Sequence, residues 1–167
     1  MHDTSRAGPP TIAALGEIYE RRFHRFLRVA EAIVGEVELA HDVVQETFAR
    51  AIRGRLGFRG EGSVEGWVWQ TLVNTARNAR RDRPPPSAPL PDLPASASTD
   101  GHAEDARLRT LIAGLPERQR LVLFLRYYAD LDYQGIAQAL AIQAGTVGAT
   151  LSQAHGAIRR LLEEVPT

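Results

Sequence analysis

Apolar residues recur at intervals of three and four along most of this chain, which is the period of a helix with one buried side. The pattern predicts a first helix from Ile12 to about Gly35, a second over residues 39–53 and a third over residues 66–83. Four glycines between the second and third helices predict a loop over residues 54–65. Together with the helical patterns nearer the C-terminus, this periodicity predicts an all-α fold.

Residues 115–164 contain three helical patterns in succession. Pro116 suits the first turn of a helix, because the N–H that it lacks would have no helical partner there. Asp132 can cap the short helix that follows, and a turn over residues 141–145 leads into a long last helix. This order is that of a helix-turn-helix, whose second helix usually enters the major groove of DNA. The spacing alone leaves open a plain pair of packed helices, since most such pairs bind no DNA.

A proline-rich segment divides the chain. Residues 84–103 hold six of the ten prolines and show no helical period, which is typical of a flexible linker. The sequence therefore predicts two small helical domains, over residues 11–83 and 104–167, that are joined by this linker.

The charge composition limits how the chain can bind nucleic acid. Its 20 basic residues are all arginine and are balanced by 20 acidic residues, so no global field draws the chain to DNA. Any contact with DNA must therefore come from local patches. The chain also has no cysteine, which excludes disulfides, thiolate catalysis and cysteine-based zinc sites.

Neither a membrane protein nor an enzyme is indicated. No run of about 18 apolar residues occurs, so membrane insertion is not expected. The first ten residues lack the apolar core of a secretion signal, which favours a cytoplasmic protein. The five histidines share no metal-ligand spacing, and no glycine-rich phosphate loop is followed by lysine. We therefore expect no catalytic residue, no cofactor and no metal.

Three motifs resemble the sigma-70 family. The stretch LPERQRLVLFLRYYADLDYQGIAQALAIQAGTV resembles region 4 of that family, where L-P-x-x-x-R precedes Y-x-x-I-A-x-x-L and G-T-V. D-V-V-Q-E-T-F, at residues 42–48, resembles the D-x-V-Q-E-x-F helix of region 2. Phe58-Arg59-Gly60, followed by a tryptophan-bearing helix that runs to Ala76-Arg77-Asn78, resembles regions 2.3 and 2.4. The closest resemblance is to the extracytoplasmic-function (ECF) sigma factors, which have only two structured domains.

The resemblance implies a sigma factor, a non-catalytic subunit that binds core RNA polymerase and directs promoter recognition and DNA melting. It implies three partners, which are core RNA polymerase, promoter DNA and an anti-sigma factor. Polar residues of the second helix would dock on a basic coiled coil of the polymerase. The predicted polymerase-binding residues are Asp42, Val43, Gln45, Glu46 and Arg53.

The third helix carries chemistry that suits unpaired DNA. Gln70, Asn74, Arg77 and Arg81 are spaced four, three and four apart and so share one face. Aromatic rings and arginine can stack on unpaired bases, and amide side chains can read base edges. The resemblance implies contact with the −10 promoter element through Phe58, Arg59, Trp67, Gln70, Asn74, Arg77, Asn78 and Arg81. Core packing is the alternative for Trp67 and Trp69, and it is expected for at least one of them.

The last helix departs from the family pattern. ECF sigma factors usually follow G-T-V with basic residues, whereas no charged residue occurs here from Gln134 to Ile158. Because phosphate neutralisation supplies much of the affinity for DNA, we expect the second domain to bind duplex weakly. The residues implied for contact with the −35 element are Arg118, Arg126, Thr146, Ala149, Thr150 and Gln153.

A protein-interaction module is the alternative to a working sigma factor. The chain would then be a sigma-like mimic that occupies an anti-sigma factor or the polymerase without selecting promoters. The uncharged last helix favours the mimic, whereas the arginine-rich third helix favours promoter binding.

Overall fold

The computed structural model describes residues 8–83 and 102–164. The described residues contain helices and no strand, which confirms the all-α prediction. The seven α-helices are α1 (Ile12–Val34), α2 (Val37–Gly54), α3 (Val64–Arg81), α4 (His102–Ala113), α5 (Glu117–Tyr127), α6 (Tyr133–Leu140) and α7 (Ala144–Glu163). We call α1–α3 the first bundle and α4–α7 the second bundle.

Side-chain caps and one left-handed glycine fix the ends of the first-bundle helices. The Thr11 hydroxyl accepts a hydrogen bond from Ala14 N at 3.0 Å and starts α1, and Gly35, at φ 80°, ends it. Ser63 caps α3 in the same way, accepting from Gly66 N at 2.9 Å. Because Ser63 supplies this cap, α3 begins two residues earlier than the periodicity predicted.

The glycine-rich connection between α2 and α3 is shorter than the predicted loop over 54–65. Helix α2 runs through Gly54, and a single 3-10 turn occupies Arg55–Gly57. The irregular part is therefore residues 58–63. Gly60 and Gly62 have φ values of 70° and 75° there, a region that side chains other than glycine rarely adopt.

An aromatic cluster forms the centre of the first bundle. Trp69 is 0% exposed, and its ring centroid lies 4.1 Å from that of Phe26. Phe48 meets Phe26 edge-on at 5.3 Å, a geometry that aromatic pairs favour. The structure thus confirms that at least one tryptophan packs in the core.

The second bundle contains the predicted helix-turn-helix. Asp132 caps α6 by accepting from Gly135 N at 2.7 Å, as the sequence indicated. Ala141, in the left-handed region at φ 53°, turns the chain from α6 into α7. The buried face of α7 carries Val147, Leu151 and Ala154 at the predicted spacing of four and three.

The two bundles pack against each other. Helix α6 lies along α3, and α5 touches α1, so that buried residues of both bundles form one continuous core. The predicted linker, residues 84–103, lies outside the described residues except for its last two positions, which open α4. Within the described ranges no helix combines the length and apolar character that crossing a membrane requires.

Candidate functional site

The polar face predicted to bind polymerase is present on α2. Asp42 and Gln45 are exposed. Glu46 already has partners on its own helix, since it accepts from Arg50 Nε at 2.6 Å and from Arg53 Nη2 at 3.3 Å. The hydrogen bond from Arg50 holds the pKa of Glu46 below its ordinary value of 4.5. A basic partner would therefore have to compete with two arginines for this carboxylate.

Val43 does not belong to this surface. It is 2% exposed and packs in the core of the first bundle. The prediction that Val43 touches a partner is therefore wrong for the chain in this arrangement. The local reason is its position directly after Asp42, on the side of α2 that turns inward.

The loop before α3 places an aromatic pair beside an exposed arginine. Phe58 is 8% exposed, and its ring centroid lies 5.5 Å from that of the half-buried Trp67. Arg59 is exposed next to this pair. The sequence predicted Phe58 as a DNA contact, but the structure buries its ring, so the accessible members of this group are Arg59 in the loop and Trp67 in the first turn of α3.

The outer face of α3 has the predicted order of polar residues. Asn74 is exposed, and Arg81 Nη2 donates to Asn78 Oδ1 at 2.5 Å. Arg77 makes a two-pronged contact with Glu117 of α5, through Nε at 2.9 Å and Nη2 at 3.2 Å. The second bundle therefore occupies the central arginine of the face predicted to read the −10 element.

A cleft of about 1040 Å³ lies between this loop and the helix-turn-helix. Arg59, Trp67 and Gln70 line it from the first bundle, and Asp132 and Gln143 line it from the second. Four of the predicted −10 residues therefore border an open cleft between the two bundles, namely Phe58, Arg59, Trp67 and Gln70, whereas Asn74 is exposed on the outer face of α3.

The exposed face of α7 differs from the prediction at one position. Ala149 and Gln153 are exposed, and Thr146 is half-buried. Thr150 is 5% exposed, and its hydroxyl donates to Thr146 O at 2.7 Å. The prediction that Thr150 lies on the outer face is wrong, because it falls beside the buried stripe of α7.

The two arginines predicted to contact the −35 element differ in exposure and in hydrogen bonding. Arg118 is exposed. Arg126 is half-buried, and its Nη1 donates to Leu131 O at 3.0 Å, which ties down the connection between α5 and α6. Its neighbour Arg120 donates to two backbone carbonyls, and burial lowers the pKa of Arg120. Arg118 is thus the better placed of the two predicted arginines to meet a phosphate.

Sequence reasoning missed several residues near α7 and between the bundles. The Tyr127 hydroxyl and His155 Nε2 lie 2.9 Å apart on the surface of the second bundle. Gln138 of α6 reaches the loop before α3, and Arg25 Nη1 donates to Ala129 O at 3.3 Å. None of these contacts follows a local spacing rule, so the sequence carried no signal for them.

The described part of the chain offers no group of histidine, aspartate and glutamate side chains that could hold a metal ion. The chemistry of the surfaces above is that of hydrogen bonding, stacking and ion pairing.

Comparison with known families decides between the possible classes of helical protein. The description "Sigma-70 region 2" matches residues 18–84, and "Sigma-70, region 4" matches residues 105–158. The chain belongs to the ECF group of the sigma-70 family. The two matched regions occur in the order that the sequence motifs indicated.

Curated relatives of this ECF chain cover most of its length. It is 31% identical to the RNA polymerase sigma-E factor of Streptomyces antibioticus over 154 residues, which is 90% of this chain and 84% of that protein. It is also 31% identical to the sigma-H factor of Pseudomonas aeruginosa, over 84% of this chain and 81% of that one. The ECF sigma-E factor of Escherichia coli K12 is 33% identical over 70% of each chain.

Two solved structures share the fold. The structure of CnrH in complex with the cytosolic domain of CnrY superposes with a TM-score of 0.71 at 19% identity, over 93% of this chain and 92% of that one. The sigma factor RpoE of Bartonella quintana, in complex with the anti-sigma factor NepR, gives 0.65 at 18% identity over 90% and 99%. The fold of both bundles is therefore that of known sigma factors.

Proposed function

We propose that this protein is an ECF sigma factor that binds core RNA polymerase and directs it to promoters in the cytoplasm. The observation that carries the proposal is the presence of both sigma regions in one chain, matched in order over residues 18–84 and 105–158. The arginine-rich outer face of α3 supports it, since this face suits unpaired DNA. The protein has no catalytic role of its own, and the polymerase supplies the chemistry.

We assign polymerase binding to the exposed residues of α2. Asp42 and Gln45 are accessible acceptors on a helix whose opposite side is locked in the core. Such a rigid helix can present its acceptors to a basic helix of the partner, where charge complementarity gives specificity. Glu46 belongs to the same surface, since Arg50 and Arg53 both contact its Oε1 and its side chain remains 43% exposed.

We assign reading of the −10 element to the outer face of α3 and to the accessible part of the loop before it. Trp67 can stack on an unpaired base, and Arg59, Arg77 and Arg81 can hold phosphates. Asn74 offers a donor and an acceptor to a base edge. In the packed arrangement of the bundles Arg77 is paired with Glu117, so full use of this face requires that contact to open.

We propose a weaker role for α7 at the −35 element. Gln153 can pair with adenine, and Ala149 can pack on a thymine methyl, but neither neutralises a phosphate. Arg118 of α5 and the N-terminal end of α7 are the positive features that the described residues offer there. An anti-sigma factor is a further expected partner, since the solved relatives named above are complexes with such proteins or domains.

Run-off transcription with core polymerase and a promoter library tests the function. We expect transcripts that depend on this protein and that start at a shared promoter sequence. Robust polymerase binding without any promoter-specific transcript would instead support the sigma-like mimic, which the uncharged stretch from Gln134 to Ile158 favours. Failure to bind the polymerase at all would contradict the sigma-factor function and would leave only a mimic that occupies an anti-sigma factor.

A further inference from the structure

One side chain of the second bundle is held entirely by the first. Gln138 Oε1 accepts from Ser63 N at 3.1 Å and from Ser63 Oγ at 3.3 Å. Its Nε2 donates to Ser63 O at 2.8 Å and lies 3.5 Å from Glu61 O. These contacts use both acceptor sites and both donors of the amide. The Gln138 amide therefore makes a specific hydrogen-bonded contact with the loop 61–63.

Two glycines make room for this amide. A Cβ added to Gly66 would lie 2.0 Å from Gln138 Oε1, and a Cβ added to Gly62 would lie 2.6 Å from Gln138 Cδ. Gly62 has a positive φ of 75°, so its backbone alone explains the glycine. Gly66 is helical, and glycine is a weaker helix former than alanine. The close approach of Gln138 therefore explains why residue 66 is glycine.

The other contacts between the bundles are weaker. The pair Arg77–Glu117 is about half-exposed on both sides, and Arg25 lies 3.8 Å from the exposed Asp130. Exposed ion pairs of this kind contribute little, because water and salt screen them. Arg25 also donates one part-buried hydrogen bond to Ala129 O at 3.3 Å. The Gln138 amide contacts Ser63 and Glu61 through both its oxygen and its nitrogen, so it is a more extensive polar connection than either of these.

We propose that Gln138 is a latch that holds the free chain closed over its own promoter-reading surface. In the closed form the second bundle engages Arg77 and covers the cleft side of Trp67 and Gln70. Because the bundles also share an apolar core, the amide adds to that packing. Withdrawal of the amide from its socket between the glycines raises the fraction of molecules in which the bundles separate and α3 is exposed to single-stranded DNA. The inference rests on the proposed function and concerns its regulation, since apparent DNA affinity falls with the fraction of open molecules.

Two variants remove the latch by different routes. Gln138→Ala deletes the amide, whereas Gly66→Ala leaves the amide intact and fills its socket. Alanine also favours the helix at position 66, so α3 is not weakened. Gln134→Ala, an exposed glutamine of α6, and Gly16→Ala, an exposed helical glycine with open space around it, are the matched controls.

The first measurement is the distance between the bundles in the full chain. Because the protein has no cysteine, Glu20→Cys and Glu163→Cys provide two unique positions for fluorescent labels. We expect a single compact distance in the wild type and both controls, and a longer, broader distribution in Gln138→Ala and Gly66→Ala. Compact distances in both latch variants, or an open distribution in the wild type, would overturn the proposal.

The second measurement is binding of a single-stranded −10 oligonucleotide by the unlabelled full chain. We expect both latch variants to bind about tenfold more tightly than the wild type, with the controls unchanged. The double variant should gain no more than either single one, because both changes remove the same contact. Opened variants that bind no more tightly than the wild type would show that the latch does not control promoter access.

The two readouts also separate this proposal from the function on which it rests. The label distances require neither DNA nor polymerase, so they test the closure by itself. If the distances shift as expected and run-off transcription fails for the wild type and for both opened variants, the assigned function is wrong and the closure stands. If transcription succeeds and the distances do not shift, the latch is wrong and the function stands.

Discussion

Arg77 of α3 and Glu117 of α5 form a two-pronged ion pair across the two bundles, with N–O distances of 2.9 and 3.2 Å. A guanidinium that we propose to hold a phosphate of the −10 element thus meets a carboxylate of the same chain. A carboxylate in this position imitates the charge of the phosphate that it excludes. We therefore expect Glu117 to compete with DNA for Arg77.

Removing Glu117 should release Arg77. We expect Glu117→Gln to raise the affinity for single-stranded −10 DNA two- to threefold, with a change of only about 0–1 kcal/mol in the free energy of unfolding, because both partners are about half-exposed. Titration with a labelled oligonucleotide at low salt measures the DNA affinity, and chemical denaturation measures the free energy of unfolding. Glu163→Gln, at the exposed end of α7, is the control. Equal affinities in all three proteins would show that the pair does not compete with DNA.

Charge reversal on α2 should weaken polymerase binding and leave the fold intact. Asp42→Lys removes an exposed acceptor, and Glu46→Lys adds a cation beside Arg50 and Arg53. Like charges placed across an interface cost several kcal/mol, so we expect at least a tenfold loss in polymerase binding. Pull-down of core polymerase with the purified variants measures it, and Glu20→Lys on α1 is the control. If both variants pull down as much core polymerase as the wild type does, the assignment of this face to polymerase binding is wrong.

The Glu46 carboxylate should make the first bundle sensitive to acid. The hydrogen bond from Arg50 lowers the pKa of Glu46 in the folded state. Its contribution to stability is therefore present above the unfolded pKa, near 4.5, and is lost as pH falls through the folded value. Thermal unfolding between pH 3 and 6 should show a smaller acid-side decline for Glu46→Gln than for the wild type.

The carboxyl group of Glu31 provides a check on the direction of this pH dependence of stability. Burial raises the pKa of Glu31, so its contribution is largest at low pH and is lost as pH rises through its folded value. Glu31→Gln should therefore change the pH profile in the direction opposite to Glu46→Gln. Profiles that shift the same way in both variants would contradict the assigned causes.

Adding charge to α7 should restore duplex binding. Ala149 and Gln153 are exposed, and Ala149→Arg with Gln153→Arg places two cations on the presumed DNA face. We expect tighter binding to duplex −35 DNA and a salt slope steeper by about one to two units. Gly148 is half-buried beside the ring of Tyr133, so Ala149 is the more exposed position for the added charge. Ala106→Arg on α4 controls for charge alone.

Binding of duplex DNA by the wild-type protein can contradict that prediction. Nanomolar binding of a specific duplex at physiological salt would mean that the uncharged helix already suffices. The double arginine variant would then add nonspecific affinity without improving discrimination between promoter and random duplex.

The helices and the helix-turn-helix could be predicted because their signals are local. The stripe Val147, Leu151, Ala154 and the cap at Asp132 each depend on residues within one or two turns of a helix. Thr150 was misplaced because it borders that stripe, and periodicity does not say how far burial extends around a helix. Val43 was included among the polymerase contacts because it lies within the D-V-V-Q-E-T-F motif, although the periodicity of α2 places it on the apolar side.

The contacts between the bundles could not be predicted, because they depend on how two separately patterned units meet. Gln138 lies in the sequence as an ordinary polar residue between two apolar ones, and Gly66 as an ordinary helix-start glycine. Their partnership spans more than 70 positions and has no periodicity. Only the packed arrangement of α3 and α6 shows that one side chain requires the absence of another.

The left-handed Ala141 makes the helix-turn-helix turn a point of stored strain. A non-glycine residue at positive φ costs on the order of 1 kcal/mol or more, and here the neighbouring packing must offset that cost. The backbone N–H of Ala141 also donates to the carbonyl of Gln138 at 3.3 Å, so the strained residue lies one turn from the latch. Ala141→Gly would relieve this strain in the same left-handed turn, so we expect it to stabilise the observed arrangement of α6 and α7 and, through Gln138, the contact between the bundles. The orientation of α7, which carries the proposed −35 surface, and the contact of Gln138 with the loop before α3 therefore depend on one and the same turn.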